Sequence, residues 1–300
     1  IGDGEGAGTI TNDDAAELTI TDVTLAEGDA GVTNFIFTVA SSSAVDTAYS
    51  VDYATADQTA GVADYSAETN TLNFTGAANE SFDITVPVTA EELVELDETF
   101  TVDLSNLQAG TLNVSVTDAQ GLGTITNDDQ AVVSLDVVNL PEGDSGTSNL
   151  VFTATLNGQV DVPVTADFVT SNGTATAGQD YTAVTSSALT MLETGTVINV
   201  AVSGDEVVEL DETLSGTLSA LNAQGRDVIL SGAQPSLGVT GTITNDDSSE
   251  LAITDVTLAE GDTGTTNFVF TVSATAAVDT GYSVDFASAL DTAQAEDFTP

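Results

Sequence analysis

Carboxylates stand in four short stretches of this sequence, at spacings that could bring many of them to one place. Between residues 16 and 130 these stretches are Glu27-Gly-Asp29, residues 57–64 with Asp57 and Asp64, EELVELDE at residues 91–98, and Asp128-Asp129. The same residues hold about half of the acidic side chains of that segment, and no basic one. Carboxylates that converge without a cation beside them must either keep their protons or bind a metal. A hard divalent ion that accepts six to eight oxygen ligands in irregular geometry, calcium before magnesium, suits such a cluster.

Composition narrows the chemistry further. The 300 residues hold 48 Asp and Glu against a single basic side chain, Arg226, for a formal charge of -47. A polyanion repels nucleic acid and anionic membrane surfaces, so neither is an expected partner. With no His, Cys or Lys, the chain lacks a Ser-His-Asp or Cys-His nucleophile, the usual zinc ligands, disulfides and Schiff-base chemistry. No enzyme is expected: paired carboxylates could serve glycoside hydrolysis, but the chain has no Trp to build a sugar platform. No apolar stretch reaches the length of a membrane helix, and the first residues do not resemble a signal peptide. Two readings of the acidity stay open on composition alone: specific calcium sites, or adaptation to concentrated salt, where the Debye length falls to about 3 Å at 1 M.

The elements that would position these carboxylates follow from a long internal repeat. GTITNDD occurs at residues 8–14, 123–129 and 241–247, and Glu-Gly-Asp at 27–29, 142–144 and 260–262. A period of this length marks a tandem array. It divides the chain into residues 1–15, the end of one repeat; 16–130 and 131–248, two complete repeats; and 249–300, the beginning of another. Within residues 16–130, apolar and polar residues alternate with period two in seven runs. They centre on residues 18–20, 35–39, 49–53, 72–74, 82–86, 100–104 and 122–125, with 112–116 lengthening the last hairpin. The expected fold is all-β, a tandem of immunoglobulin-like Greek-key sandwiches of about seven strands each. In such a sandwich the four acidic stretches meet at one end. Alternation through ELDETFTVDL sets Leu96, Glu98, Phe100, Val102 and Leu104 on the inward side, and Glu212 stands likewise between Leu210 and Leu214. Asp64 and Asp180, each before a Tyr, read as turn residues.

The combination of Glu-Gly-Asp after the first strand, a VDY…DY loop, VELDETF and the closing GTITNDD resembles the Calx-beta repeat over nearly the whole chain. That resemblance implies a calcium-binding sandwich of the kind found in sodium/calcium exchangers, matrix proteins and long bacterial surface proteins. It implies Ca2+ at the sandwich's end, held in the first repeat by Glu27, Asp57, Glu91, Glu92, Glu95, Glu98, Asp128 and Asp129. The second repeat offers Glu142, Asp205, Glu206, Glu209, Glu212, Asp246 and Asp247, and the last segment Glu260. Two departures stand out: Asn127 opens the terminal triplet of the first repeat, and in the second Asn172 stands where Asp57 stood, which is expected to weaken or remove one ion. The expected role is a calcium-stiffened rod or adhesive fibre, extracellular or at the cell surface. Its partners would be neighbouring repeats, identical subunits or matrix ligands, with a filament built by strand complementation as the alternative. Ions at Asp128-Asp129 and Asp246-Asp247 are expected to fix the junction angles.

Overall fold

The computed structural model describes residues 2–185 and 187–298. Ile1, Ser186, Thr299 and Pro300, which include the outer ends of the segments 1–15 and 249–300, lie outside the described residues. Among the described residues there is no helix, and so none long and apolar enough to cross a membrane.

The first repeat consists of β1 (Ala16–Ile20), β2 (Val23–Ala26), β3 (Gly31–Ser41), β4 (Tyr49–Asp57), β5 (Thr69–Phe74), β6 (Ser81–Ala90), β7 (Leu93–Val94), β8 (Glu98–Gln108), β9 (Val114–Val116) and β10 (Gln120–Thr126). The second repeats the series as β11 (Ala131–Val138), β12 (Leu140–Pro141), β13 (Gly146–Asn157), β14 (Gln159–Val160), β15 (Thr165–Asn172), β16 (Ser187–Thr190), β17 (Thr196–Gly204), β18 (Glu212–Asn222), β19 (Val228–Leu230) and β20 (Ser236–Thr244). The last segment carries β21 (Leu251–Ile253) paired with β22 (Val272–Ala274). In the first sandwich the sheet β6-β3-β1-β9 packs on β2-β10-β8-β4-β5, and in the second β17-β13-β11-β19 packs on β12-β20-β18-β15-β16. The initial strand of each repeat is split between the two sheets, so β2 lies parallel to β10 and β1 parallel to β9.

Alternation along these strands fills the space between the sheets. Phe35 and Phe37 of β3 meet Phe100 of β8 at ring distances of 5.8 Å, and Tyr65 stacks on Phe100 at 4.5 Å. Such pairs each add about 0.5–1.5 kcal/mol beyond the area they bury. Phe100 stands two residues into the core from Glu98, so this aromatic cluster lies directly under the acidic end.

Two parities differ from the expectation. On β10 the inward positions are Gly121, Gly123 and Ile125, whereas Leu122 is 40% exposed. A Cβ at position 123 would lie 2.5 Å from the Phe100 ring, so the glycine of the closing motif is the recess that admits that ring. Leu96 and Leu210 are exposed, not inward. Each lies ahead of the strand that begins at Glu98 or Glu212, and strand parity does not extend back into the loop. Leu96 instead reaches the second repeat, where a Cβ on Gly225 would stand 3.5 Å from its methyl group.

The repeats join through strands rather than through a linker alone. β7 of the first pairs in parallel with β14 of the second, with Leu93 opposite Gln159 and Val94 opposite Val160. Val94 is 1% exposed and belongs to the second repeat's core. Val208, its counterpart, bridges Val278 of the last segment in the same parallel sense.

Candidate metal centre

Each candidate carboxylate is set by a local device. Glu27 follows β2, where its amide donates to Thr126 O at 3.4 Å, and Gly28 then turns the chain at φ 86°. That left-handed value favours glycine at the centre of Glu-Gly-Asp. The Thr33 hydroxyl donates to Glu27 O and closes the turn. Glu27 is thereby 2% exposed. In the second repeat Gly143 turns at φ 82°, Glu142 donates to Thr244 O at 3.1 Å, and Glu142 is 6% exposed.

Opposite Glu27 runs the acidic loop between β6 and β8, held in place by Asn127. The Asn127 side-chain carbonyl accepts from Glu95 N at 3.2 Å, its amide nitrogen Nδ2 donates to Asp129 O at 2.9 Å, and its backbone N donates to Asp97 Oδ1 at 3.1 Å. Asn245 makes the same three bonds with Glu209, Asp247 and Asp211, at 2.9, 3.0 and 3.1 Å. The side chain must donate and accept at once, which an ionised aspartate cannot do. The Asn at the head of the terminal triplet is thus a clamp, and Asp97 and Asp211, both exposed, take part in it through one oxygen each.

Four triads of carboxylates result, each with oxygens within 4.8 Å of one another. They are Glu27, Glu91 and Glu95; Asp64, Glu95 and Glu98; Glu142, Asp246 and Asp247; and Asp180, Glu209 and Glu212. Oxygens bound to one calcium at 2.3–2.6 Å are at most about 5 Å apart, so each triad fits within a single coordination sphere. Glu95 belongs to both triads of the first repeat and joins them into one continuous site.

The remaining expected ligands lie around these triads. Asp129 holds a buried, unpartnered oxygen next to Glu27, and Asp128 Oδ1 accepts from Gly28 N at 3.1 Å, as Asp246 Oδ1 does from Gly143 N at 3.0 Å. Asp57 accepts the Tyr65 hydroxyl at 2.6 Å and is in neither triad. Asn172 accepts the Tyr181 hydroxyl at 2.7 Å in the same way, so its exchange for Asp57 costs no hydrogen bond. Glu92 lines a groove between the repeats with Glu91, Leu93, Leu156 and Gln159. Asp205 Oδ1 accepts from Val207 N at 2.8 Å, Glu206 is exposed, and Glu260 is exposed with no triad of its own among the described residues. Asp64 and Asp180 do hold turns, accepting from Gly61 N at 2.7 Å and Thr176 N at 2.6 Å, yet they also sit in triads. The sequence signal for them was the Asp-Tyr pair recurring with the repeat, at 64–65 and 180–181.

The electrostatics of the site follow from burial and crowding. Burial first, then the charges of Glu95, Glu91, Asp129 and Asp128, push the Glu27 carboxyl up to about 8. Burial followed by Asp64 pushes Glu95 and Glu98 up to about 7. In the second repeat burial raises Glu142 to about 7, with Glu209 next in effect, and Glu212 to about 7, with Asp180 next. One oxygen on each of Glu27, Glu98, Asp129, Glu142 and Asp247 is buried without a hydrogen-bond partner. An oxygen removed from water and given no donor is costly unless a cation occupies the space before it.

Comparison with known proteins places this sequence in a family. The Calx-beta domain family model matches residues 11–131 and again 126–255. No curated protein matches the sequence. Among solved structures, the apo form of the Calx CBD1 domain aligns at 22% identity over 39% of this chain and 100% of its own, with a TM-score of 0.34. The calcium binding domain CBD12 of CALX1.1 aligns at 19% identity over 68% of this chain and 80% of its own, also at 0.34. CBD12 from CALX1.2 aligns at 18% identity over 70% and 82%, again at 0.34. Matched along most of its length and twice over, the chain belongs to the Calx-beta family.

Proposed function

We propose that the chain is a calcium-binding structural segment of an extracellular or cell-surface protein, a rod of sandwiches made stable and stiff by the ions it holds. The observation that carries this reading is Glu27: a carboxylate 2% exposed, one oxygen without a partner, beside four further acidic groups and no basic residue of its own repeat. Glu142 repeats it in the second sandwich at 6% exposure. Protons alone can quiet such a cluster only up to about pH 8, where Glu27 itself titrates. Above it, a divalent ion is the economical counter-charge, and the oxygen-only ligand set favours calcium.

An ion at Glu27, Glu91 and Glu95 would tie the end of β2 to the loop entering β8, and one at Asp64, Glu95 and Glu98 would add the turn after β4. Bound to the folded state alone, calcium at a hundredfold excess over its dissociation constant adds about 2.7 kcal/mol per site. The acidic composition and the repeat architecture support a surface location and an adhesive role.

The test is a calcium titration by calorimetry on the whole chain, with thermal melts in calcium, in chelator and in sodium chloride of equal ionic strength. Binding of several ions, with a melting temperature raised by calcium and not by matched sodium, is the expected result. Equal protection by sodium would replace specific sites with general salt adaptation.

A further inference from the structure

The acidic loop that forms the candidate site is also the strand that joins one repeat to the next. After Val94 pairs with Val160, the next step of the same parallel register brings Asp161 beside Glu95, and Asp161 N donates to Val94 O at 3.3 Å. The second junction has the same design. Val208 bridges Val278, Val208 N donates to Ala277 O at 2.9 Å, and Asp279 N donates to Val208 O at 3.2 Å, which brings Asp279 beside Glu209. The Val-Asp pair recurs with the repeat, as Val45-Asp46, Val160-Asp161 and Val278-Asp279.

We propose that the Asp64, Glu95 and Glu98 subsite is completed across the junction, with Asp161 of the following repeat as a further carboxylate ligand of its cation, and that Asp279 completes the Asp180, Glu209 and Glu212 subsite likewise. The inference rests on the calcium reading above. Two observations support it besides the register. Glu27, almost wholly buried and with an unpartnered oxygen, shares Glu95 with this subsite, and Glu98 of the subsite also holds a buried oxygen without a hydrogen-bond partner. Finally, the one basic side chain of the protein is spent here. Arg226 grips Asp161 through Nε at 2.8 Å and Nη2 at 2.6 Å, and its third bond, from Nη1, goes to Gln224 O at 3.1 Å. A resident guanidinium at the place where like charges meet across the first junction is a counter-ion for Asp161 when no metal is bound. Asp279 has no such partner among the described residues.

A shared site makes occupancy and junction geometry one equilibrium, since the ion binds fully only when the two repeats are docked. By linkage, docking strengthens calcium and calcium strengthens docking by the same factor.

The test uses the whole chain and calcium as the probe, with four variants titrated by calorimetry at fixed ionic strength. Asp161→Asn and Asp279→Asn are each expected to weaken one class of sites by about tenfold, as loss of a ligand charge does. Asp46→Asn is the matched control: it makes the same charge change at the same place in the repeat, but no acidic loop among the described residues faces it, and affinity should stay within about twofold. Arg226→Gln separates a ligand from a mere ion-pair partner. If Asp161 binds the metal, removing the competing cation leaves affinity unchanged or tighter. If Asp161 only anchors Arg226, then Arg226→Gln weakens binding as much as Asp161→Asn does, and the proposal is overturned. Equal effects of Asp161→Asn and Asp46→Asn overturn it as well. Melts in chelator establish that each variant is folded, and Asp279→Asn supplies the same answer should Asp161→Asn not fold. A wild-type chain that takes up no calcium would instead remove the reading beneath.

Discussion

The side-chain carbonyl of Asn127 accepts the backbone amide of Glu95 at 3.2 Å, which fastens the end of one repeat's last strand to the middle of its acidic loop. Asn127 also donates to Asp129 O, so one side chain sets the distance between the two acidic segments flanking Glu27. Asn127→Asp removes the donor and adds a charge to a crowded site. The melting temperature in chelator should fall, by an amount equivalent to about 1–3 kcal/mol for a buried group left without its partner. Asn245→Asp should do the same in the second repeat, and thermal denaturation of each variant against wild type is the measurement.

Acid should stabilise the metal-free protein. Glu27 titrates near 8, and Glu95, Glu98, Glu142 and Glu212 near 7, all above the ordinary 4.5. The folded state therefore holds more protons than the unfolded one between about 4.5 and 8, and stability falls as pH rises through that window. Saturating calcium should abolish the slope, because the ion replaces those protons, and its uptake should release protons measurably at pH 7. Melting curves at stepped pH, with calcium and with chelator, check both signs. A metal-free protein that gains stability from pH 5 to 8 would contradict the burial described for Glu27.

Glu27→Gln should act oppositely in the two states. The neutral amide relieves the crowding of charge in chelator and raises the melting temperature at pH 8, while calcium affinity in the first repeat drops by about tenfold or more. Glu98→Gln, which shares its triad with Glu95, should likewise weaken binding far more than Asp46→Asn. Paired melts and calorimetric titrations decide the point.

Gly123→Ala should destabilise the first sandwich with or without metal. The added methyl would lie 2.5 Å from the Phe100 ring, which is itself held by Tyr65, Phe35 and Phe37. Overpacking of that kind costs about 1–3 kcal/mol. A denaturant melt in chelator isolates this effect from binding.

Val94→Ala should loosen the junction while leaving most calcium binding in place. The lost methyls come from a residue buried in the second repeat's core, a change that costs about 1–2.5 kcal/mol there. Small-angle scattering of the whole chain should show a sharper maximum dimension in calcium than in chelator for the wild type, and a broadened one for the variant in both. Identical profiles in calcium and chelator, with binding verified separately, would mean that ions stabilise each sandwich without setting the angle between them.

Much of this molecule was legible in one dimension. The 123–129 and 241–247 copies of GTITNDD, the period-two runs and the absence of His, Cys and Lys establish a tandem all-β array with its acidity gathered at loops. These are local signals: alternation reports burial of one strand face, and a repeated motif reports a repeated unit, whatever the neighbours do. The resemblance that these motifs carry named Glu27, Glu91, Glu95, Glu98, Glu142, Glu209, Glu212, Asp246 and Asp247, which stand in triads, and also Asp57, Glu92, Asp128, Asp129, Asp205, Glu206 and Glu260, which do not.

Tertiary structure decided which oxygens share a coordination sphere. Asp64 and Asp180 looked like turn residues and are so, but the turn also aims them at Glu98 and Glu212. Asp57, a ligand by resemblance, stands outside the triads with one oxygen accepting from Tyr65, whose ring is fixed by stacking on Phe100. At the junction the sequence pointed to Asp128-Asp129, and the structure adds Val94, which crosses into the next repeat's core. In each case the outcome depends on a partner dozens of residues away, and on which hydrogen bond or core position that partner leaves open. Sequence supplies the charges; only packing decides where they are left without donors.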